Sequence, residues 1–320
     1  MIKKASIRRI VVASFALLIV LVSLYIFPQK EIKIPSKIIY KKAETNAIYL
    51  EDQNKLISRT FINVDSTDKE QLANELIMAL INNSNKSKYL PLGFSSTILG
   101  DVKIKEIKIE NDVITVNFDG NIFKDNENNE EKIIESIVYT LTEIEGIKKI
   151  KILINDEVLK RLPSSNKIIP EYLDRSIGIN RISKFNSLKN TQDVTAYFIG
   201  KNNGDYYFVP VTFTTDSEKE KIEIIIKELS GKDFIDDNLS TYISAGVILK
   251  NYEILENEIK LEFNNEIFNG FNEIDEEVMY GIALSIYDNY NISTVRFEVD
   301  QREIMAYALK SSWLYLKVII

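Results

Sequence analysis

The stretch Asp112-Val-Ile-Thr-Val-Asn-Phe-Asp-Gly-Asn-Ile-Phe123 returns 145 positions later, from 112 to 257, as Asn257-Glu-Ile-Lys-Leu-Glu-Phe-Asn-Asn-Glu-Ile-Phe268. Ile114, Val116 and Phe118 align with Ile259, Leu261 and Phe263, and Ile122 and Phe123 with Ile267 and Phe268. Apolar residues two apart predict a strand with one buried face. The offset holds to the end of each unit, where Ile147, Ile150, Ile152 and Ile154 meet Ile292, Val295, Phe297 and Val299. One short alternation would be weak evidence. A register kept from residue 114 to residue 154 marks a duplicated unit.

Upstream, Asn46–Leu50 resembles Thr195–Ile199, and Leu56–Ile62 answers Tyr206–Phe213; all four read as short strands. A helix follows at 67–82, with Leu72, Leu76, Met78, Ala79 and Leu80 apolar, and at 217–230, with Ile222, Ile225, Ile226 and Leu229, stopping at Gly231. Ile98–Ile109 and Val113–Phe118 form a hairpin around Glu110-Asn111-Asp112, as do Val247–Leu255 and Glu258–Phe263 around Glu256-Asn257. A second helix carries Ile133, Ile134, Ile137, Val138 and Leu141 in the first unit, and Val278, Ile282, Ala283 and Ile286 in the second. A last strand closes each unit, at Lys148–Ile154 and Ser293–Val299. The fold class is therefore α+β, two repeated mixed strand–helix units.

Four positive charges, Lys3, Lys4, Arg8 and Arg9, precede an unbroken apolar run from Ile10 to Phe27. As a helix the run would be about 27 Å long, near the thickness of a bilayer core, with the charges on the cytoplasmic side. A cleaved signal peptide is the rival reading, but its apolar core is shorter, and Ser23–Pro28 lacks a small-x-small site. The predicted organisation is a cytoplasmic basic flank (1–9), a transmembrane anchor (10–27), a stalk (28–42), a first unit (43–156), a linker (157–190), a second unit (191–310) and an apolar tail (311–320). This makes a single-pass membrane protein whose C-terminal region lies outside the cytoplasm. The tail is too short to span a bilayer and is expected to pack against the second unit.

The chain has 320 residues, a net charge of −7, no cysteine and no histidine. Disulfides and thiolate chemistry are excluded, and the commonest metal ligand and general base are missing. The acidic balance beyond the basic N-terminus opposes binding to nucleic acid and leaves a basic protein partner open. No residues form a persuasive catalytic, cofactor-binding or metal-binding set. Asp119 faces Asn264 in the other copy, and Asp156 and Asp300 sit near turns at the ends of terminal strands. The run Asp125, Glu127, Glu130, Glu131 lacks EF-hand spacing and reads as a solvated helix cap. Gly93, Gly146, Gly231 and Gly246 read as turns, since there is no phosphate-binding glycine motif. Tyr49, Phe118, Phe123, Phe263 and Phe268 read as core. Alternation through Tyr206-Tyr207-Phe208 would bury Tyr206 and Phe208 and turn Tyr207 outward, toward a partner.

The motifs carry a resemblance. Ala47-Ile-Tyr-Leu50, Leu90-Pro-Leu-Gly93, Val116-Asn-Phe118, Thr140-Leu-Thr-Glu143 and Gly146-Ile-Lys-Lys-Ile150 in the first unit are similar to the tandem GerMN-domain family. Phe208-Val-Pro-Val211 and Glu228-Leu-Ser-Gly231 carry the likeness in the second. There Ser244-Ala-Gly246 replaces the proline-containing turn, and Ile286-Tyr-Asp-Asn289 the Thr-Leu-Thr-Glu segment. The resemblance implies units like ring-building modules and a non-enzymatic structural role in endospore formation and germination. It places the protein at the boundary between mother cell and forespore, with other sporulation envelope-complex proteins as partners and self-association as a further one. A family lipoprotein's lipid-bearing cysteine is absent, and the anchor would replace it. The alternative is a module for cell-wall peptidoglycan or a small ligand, with exposed aromatics such as Tyr207 stacking on sugar. A carboxylate hydrolase lacks a placed acid pair.

Overall fold

The computed structural model describes residues 45–64, 66–82, 90–100, 102–124, 129–185, 187, 189–202, 205–231, 238–292, 294–310 and 313–317. The first repeat runs β1 (Thr45–Glu51), β2 (Ile57–Asn63), α1 (Lys69–Leu80), β3 (Lys103–Glu110), β4 (Val113–Asp119), α2 (Glu130–Leu141), β5 (Lys149–Ile154) and β6 (Glu157–Val158). A connector holds a 3-10 turn at Arg175–Ile177 and β7 (Ile182–Lys184). The second repeat runs β8 (Gln192–Asn202), β9 (Asp205–Thr215), α3 (Lys221–Ser230), β10 (Leu239–Ser240), β11 (Leu249–Ile254), β12 (Glu258–Phe263), α4 (Glu276–Tyr290), β13 (Thr294–Val299), β14 (Arg302–Lys310) and β15 (Trp313–Lys317).

The local reasons match the sequence. Asp68 caps α1 by accepting from the Gln71 N–H, and Asn291 ends α4 in the left-handed region at φ 54°. Asn111, at φ 56°, supplies the tight turn between β3 and β4. In each repeat a helix carries the chain across to a parallel neighbour, α2 from β4 to β5 and α4 from β12 to β13. The resulting sheets are β3-β4-β5-β6 and β11-β12-β13-β14-β15. Each repeat has its own apolar core, one around Ile48, Leu76, Phe118 and Ile137, the other around Val209, Ile225, Phe263 and Ile282. Phe94 packs against both.

The first two strands of each repeat do not join that repeat's own sheet. Instead β1-β2 and β8-β9 meet edge to edge in one sheet of order β1-β2-β9-β8-β10, with β7 beside β9. Arg59 pairs with Phe208 across this seam. The next pair in that register would set Ile57 opposite Pro210, which has no N–H to give. The Asn180 side chain takes its place. Its Oδ1 accepts from the Ile57 N–H (2.9 Å), and its Nδ2 donates to the carbonyls of Ile57 and Pro210 (2.8 Å each). The connector beyond is stitched to β9 in turn, with the Thr212 N–H donating to the Ile179 carbonyl and the Ile179 N–H to Thr212 Oγ1, both at 2.9 Å.

The transmembrane expectation is corrected. Among the described residues no helix is long and apolar enough to cross a membrane. The longest, α4, has 15 residues, about 22 Å, and is a helix of the protein's own core. The predicted anchor 10–27 and its flanks 1–9 and 28–42 lie outside the described residues. The single-pass topology, the membrane contact through that helix and the location derived from them are corrected to this: no spanning helix among the described residues supports them.

The repeats solve one packing problem in two ways. Thr140 Oγ1 accepts from the Tyr49 N–H, and 145 residues on, Ser285 Oγ accepts from the Tyr197 N–H, both at 3.0 Å. The Tyr49 carbonyl receives the Ser136 hydroxyl from α2. The equivalent helix position is Gly281, and the Tyr197 carbonyl receives the Tyr242 hydroxyl instead (2.7 Å). A Cβ at Gly281 would lie 1.9 Å from that hydroxyl oxygen. Gly281→Ser alone should therefore cost about 2 kcal/mol by overpacking. The ring carbons Cζ and Cε2 of Tyr242 would lie only 2.3 and 2.9 Å from that Cβ, so the whole ring must go. In a Tyr242→Ala background Gly281→Ser returns a hydroxyl to the Tyr197 carbonyl, and chemical denaturation should show the double variant more stable than Tyr242→Ala alone.

Candidate functional site

Where the repeats meet, two helix ends present acids at the same offset, Glu143 just beyond α2 and Asp288 in the last turn of α4. The connector's Arg175 reaches both, with Nη2 2.7 Å from Glu143 Oε1 and Nη1 2.5 Å from Asp288 Oδ1. Its Nε donates to Thr142 Oγ1 (2.8 Å) and its Nη2 to the Tyr139 carbonyl (3.2 Å). The guanidinium also lies over the rings of Tyr49, Tyr139 and Tyr287, at 5.6, 4.9 and 5.5 Å. Arg59 of β2 donates from Nη2 to Glu143 (3.2 Å) and from Nη1 to the Tyr280 hydroxyl (2.6 Å). A chain of hydroxyls closes the cluster: Tyr49 lies 2.9 Å from Glu143, the Tyr49 and Tyr197 oxygens lie 2.9 Å apart, and Tyr197 lies 2.7 Å from Asp288, so two phenol hydrogens are shared among three contacts.

Two guanidiniums thus face two carboxylates, and the buried charge sums to zero. Burial alone would raise the Glu143 carboxyl, but Arg59 and Arg175 outweigh it and hold it at about 2. Asp288 shares only Arg175; burial raises it, with the Glu143 charge adding to the rise, against Arg175 and the Tyr197 hydroxyl. Burial pushes the phenols of Tyr49 and Tyr197 well up, so both stay protonated and donate. This is a lock rather than a reaction centre: the two guanidiniums, the two carboxylates and the Tyr49 and Tyr197 hydroxyls are bonded to one another.

The residues singled out in the sequence are placed as follows. Asp119 is exposed at the end of β4, while Asn264 ties the Ile248 N–H and the Gly246 carbonyl at 2.9 Å each. Asp156 pairs with Lys105 and Asp300 with Lys250, exposed clips at nearly equivalent positions. Asp125 and Glu127 lie outside the described residues. Glu130 is not solvated as expected: it is buried and accepts from the Ser164 N–H (2.6 Å) and the Ser165 N–H (3.1 Å), pinning the connector. Glu131 pairs with Lys167 at 2.7 Å. Among the described residues no group of three acids could hold a metal. Gly93 (φ +86°) and Gly146 (φ +84°) take left-handed turns, whereas Gly231 has φ −70°. At Gly93 a Cβ would sit 1.6 Å from Asn202 Nδ2, which donates to the Leu92 carbonyl at 2.8 Å and so ties the repeats together.

The aromatic alternation is inverted. Tyr207 is 8% exposed, packed with Val209 and Phe213 and donating to Asp52 Oδ2 (2.9 Å), while Tyr206 is 67% exposed. Phe208 is half-buried against the edges of Tyr242 and Tyr280. The core of the second repeat claims the odd positions of β9, and Gly200 on β8 leaves the room that the Tyr207 ring fills. The buried charges themselves were missed. The motif pairing of Thr140–Glu143 with Ile286–Asn289 sits one residue away from the offset of 145 that brings Glu143 opposite Asp288, an acid at one position on two apolar helices. Arg175 belongs to neither repeat and gave no such signal.

The family described as Germane, sporulation and spore germination, matches residues 47–160 and 195–304, so both repeats carry it. The chain belongs to the Germane family. The spore germination protein GerM of Bacillus subtilis (strain 168) is 28% identical over 261 residues, 79% of this chain and 70% of that protein. The tandem GerMN domains of the sporulation protein GerM from Bacillus subtilis superpose with a TM-score of 0.74 at 27% identity, covering 81% of this chain and 91% of that one. The tandem GerMN architecture read from the motifs is therefore shared, and with Germane membership goes a non-enzymatic, structural part in sporulation.

Two outcomes follow from this geometry. Arg175→Met leaves Asp288 buried without its cation and should cost about 3–5 kcal/mol in chemical denaturation, less when Asp288→Asn is added. Burial raises the Glu135 carboxyl from 4.5 to about 7, against the Asn180 N–H that it accepts. A raised acid destabilises the fold when it ionises, so its contribution is intact below about 4.5 and lost as the pH rises through about 7. Glu135→Gln should thus melt higher than the parent at pH 8, by up to about 3 kcal/mol, with the gap closing by pH 5.

Proposed function

We propose that the chain is a scaffold subunit of endospore formation whose two repeats work as one block, supporting a complex between mother cell and forespore. One observation carries this reading: Arg175, from the connector, bonds the equivalent acids of both repeats in a buried site. Two beads on a flexible linker would not bury four charges between them, since each would lose its partner on opening. A joined pair offers a partner one preorganised surface and loses little freedom on binding. Family membership supports sporulation as the setting, and the neutral lock supports a structural rather than chemical task. For the wall-binding alternative, the aromatic singled out as its example, Tyr207, is buried.

In-cell crosslinking of the full-length protein during sporulation should recover other sporulation proteins, with crosslinks on both repeats, and clean deletion should lower the yield of heat-resistant spores. Intact sporulation after deletion, with no partner recovered, would overturn the reading.

A further inference from the structure

Between the repeats lies a cavity of about 530 Å³, walled by Glu135 of α2, Asn180 and Arg181 of the connector and Val211 of β9, among others. Its charged groups are nearly all engaged. Lys55 pairs with Glu51 at 2.8 Å, Lys132 donates to the Lys55 carbonyl at 2.6 Å, and Arg181 pairs with Asp193 at 2.9 Å. Glu130 holds the connector N–H groups, and Glu131 holds Lys167. Glu135 is the exception. Its side chain is 7% exposed, and Oε2 accepts one bond, from the Asn180 N–H at 3.1 Å. Oε1 has no hydrogen-bond partner among the described residues, and no cation pairs with the carboxylate.

The duplication shows what is missing. Residue 135 corresponds to Tyr280 at the common offset, and there the other repeat delivers a guanidinium: Arg59 Nη1 donates to the Tyr280 hydroxyl at 2.6 Å. Arg59 stands opposite Tyr49 in its hairpin. Its counterpart, opposite Tyr197, is Pro210. Proline carries no donor, so the cation that pseudo-symmetry would bring to Glu135 never arrives, and a cavity remains. A carboxylate so placed needs a positive donor, because a buried charge left unpaired is costly. A divalent metal would need several oxygen ligands, and no group of three acids among the described residues could supply them.

We propose that this cavity binds an organic cation, a guanidinium or primary ammonium group, with Glu135 as its counter-ion. Such a group is the head of an arginine or lysine side chain from a partner, or a small free amine. The chain's net charge of −7 favours approach of either. The site is independent of the scaffold reading and would stand without it.

The test is calorimetric titration of the full 320-residue chain with methylguanidinium and with ethylammonium, urea serving as the neutral isostere. At pH 8 at least one cation should bind saturably and urea should not. Binding should weaken about tenfold by pH 6, because a carboxyl titrating at about 7 exchanges its charge for a proton over that range. Glu135→Gln, which keeps an acceptor for the Asn180 N–H, should lose at least tenfold and flatten the pH profile. The urea control and the pH series need only the parent protein, so a misfolded variant does not blunt the test. An arginine-containing peptide that binds more tightly than methylguanidinium supports the site with a partner side chain as occupant, and an equal or weaker one supports it with a small amine. No saturable binding of either cation at pH 8, binding shared by urea, or binding indifferent to pH would overturn the proposal.

Discussion

A buried guanidinium tolerates few arrangements, and Arg175 is placed where the fewest remain. It is held by carboxylates from both repeats, by a backbone carbonyl and by three aromatic rings. Removing any one neighbour exposes a desolvated charge, so the groups around it must stay together or come apart together. The relative placement of the repeats follows from this. Glu143 and Asp288 are brought to one cation, the Tyr49 and Tyr197 hydroxyls are brought to each other, and the hairpins behind them meet along β2 and β9. A purely apolar interface of the same size would hold as firmly but would specify the alignment less sharply. Here the hydrogen-bond geometry permits one register.

Duplication supplied this design and divergence finished it. The helix hydroxyls of Thr140 and Ser285 do the same task in both copies. Ser136 and Tyr242 do one task from different elements, with Gly281 making way for the second. Pro210 breaks the symmetry of the central sheet, and Asn180 repairs the break with its side-chain amide. The same proline leaves Glu135 without the cation that Tyr280 receives. The asymmetry of the molecule therefore centres on one seam, lined by connector residues that belong to neither copy.

Three acids of the described residues hold the fold together. Glu143 is ionised and doubly paired, Glu130 clamps two connector N–H groups, and Asp52 gathers the Ser58 and Tyr207 hydroxyls at a turn. None is aimed with a partner acid across a groove in the way that acid–base hydrolysis requires. That agrees with a family whose description is sporulation and spore germination rather than a reaction.

How much was legible follows from the range of each interaction. Strands, helices and turns were readable because period-2 and period-3.6 patterns, caps and glycine turns act over a few residues. The duplication was readable because the offset of 145 survives in the core positions. The α+β class and the family motifs followed from those two. The burial of Tyr207 and exposure of Tyr206 were not readable, since alternation states that two faces differ and not which one meets the core. Nor was the joining of β2 to β9, which depends on strand edges from distant parts of the chain. The lock lay furthest out of reach. Its acids left a trace in the repeat alignment, but Arg175 sits in a connector with no copy to compare. By itself the sequence determined two like α+β units and their local elements. The tertiary structure alone decided that they share a sheet and a charge cluster, because pairing across the seam is set by which groups lose water together.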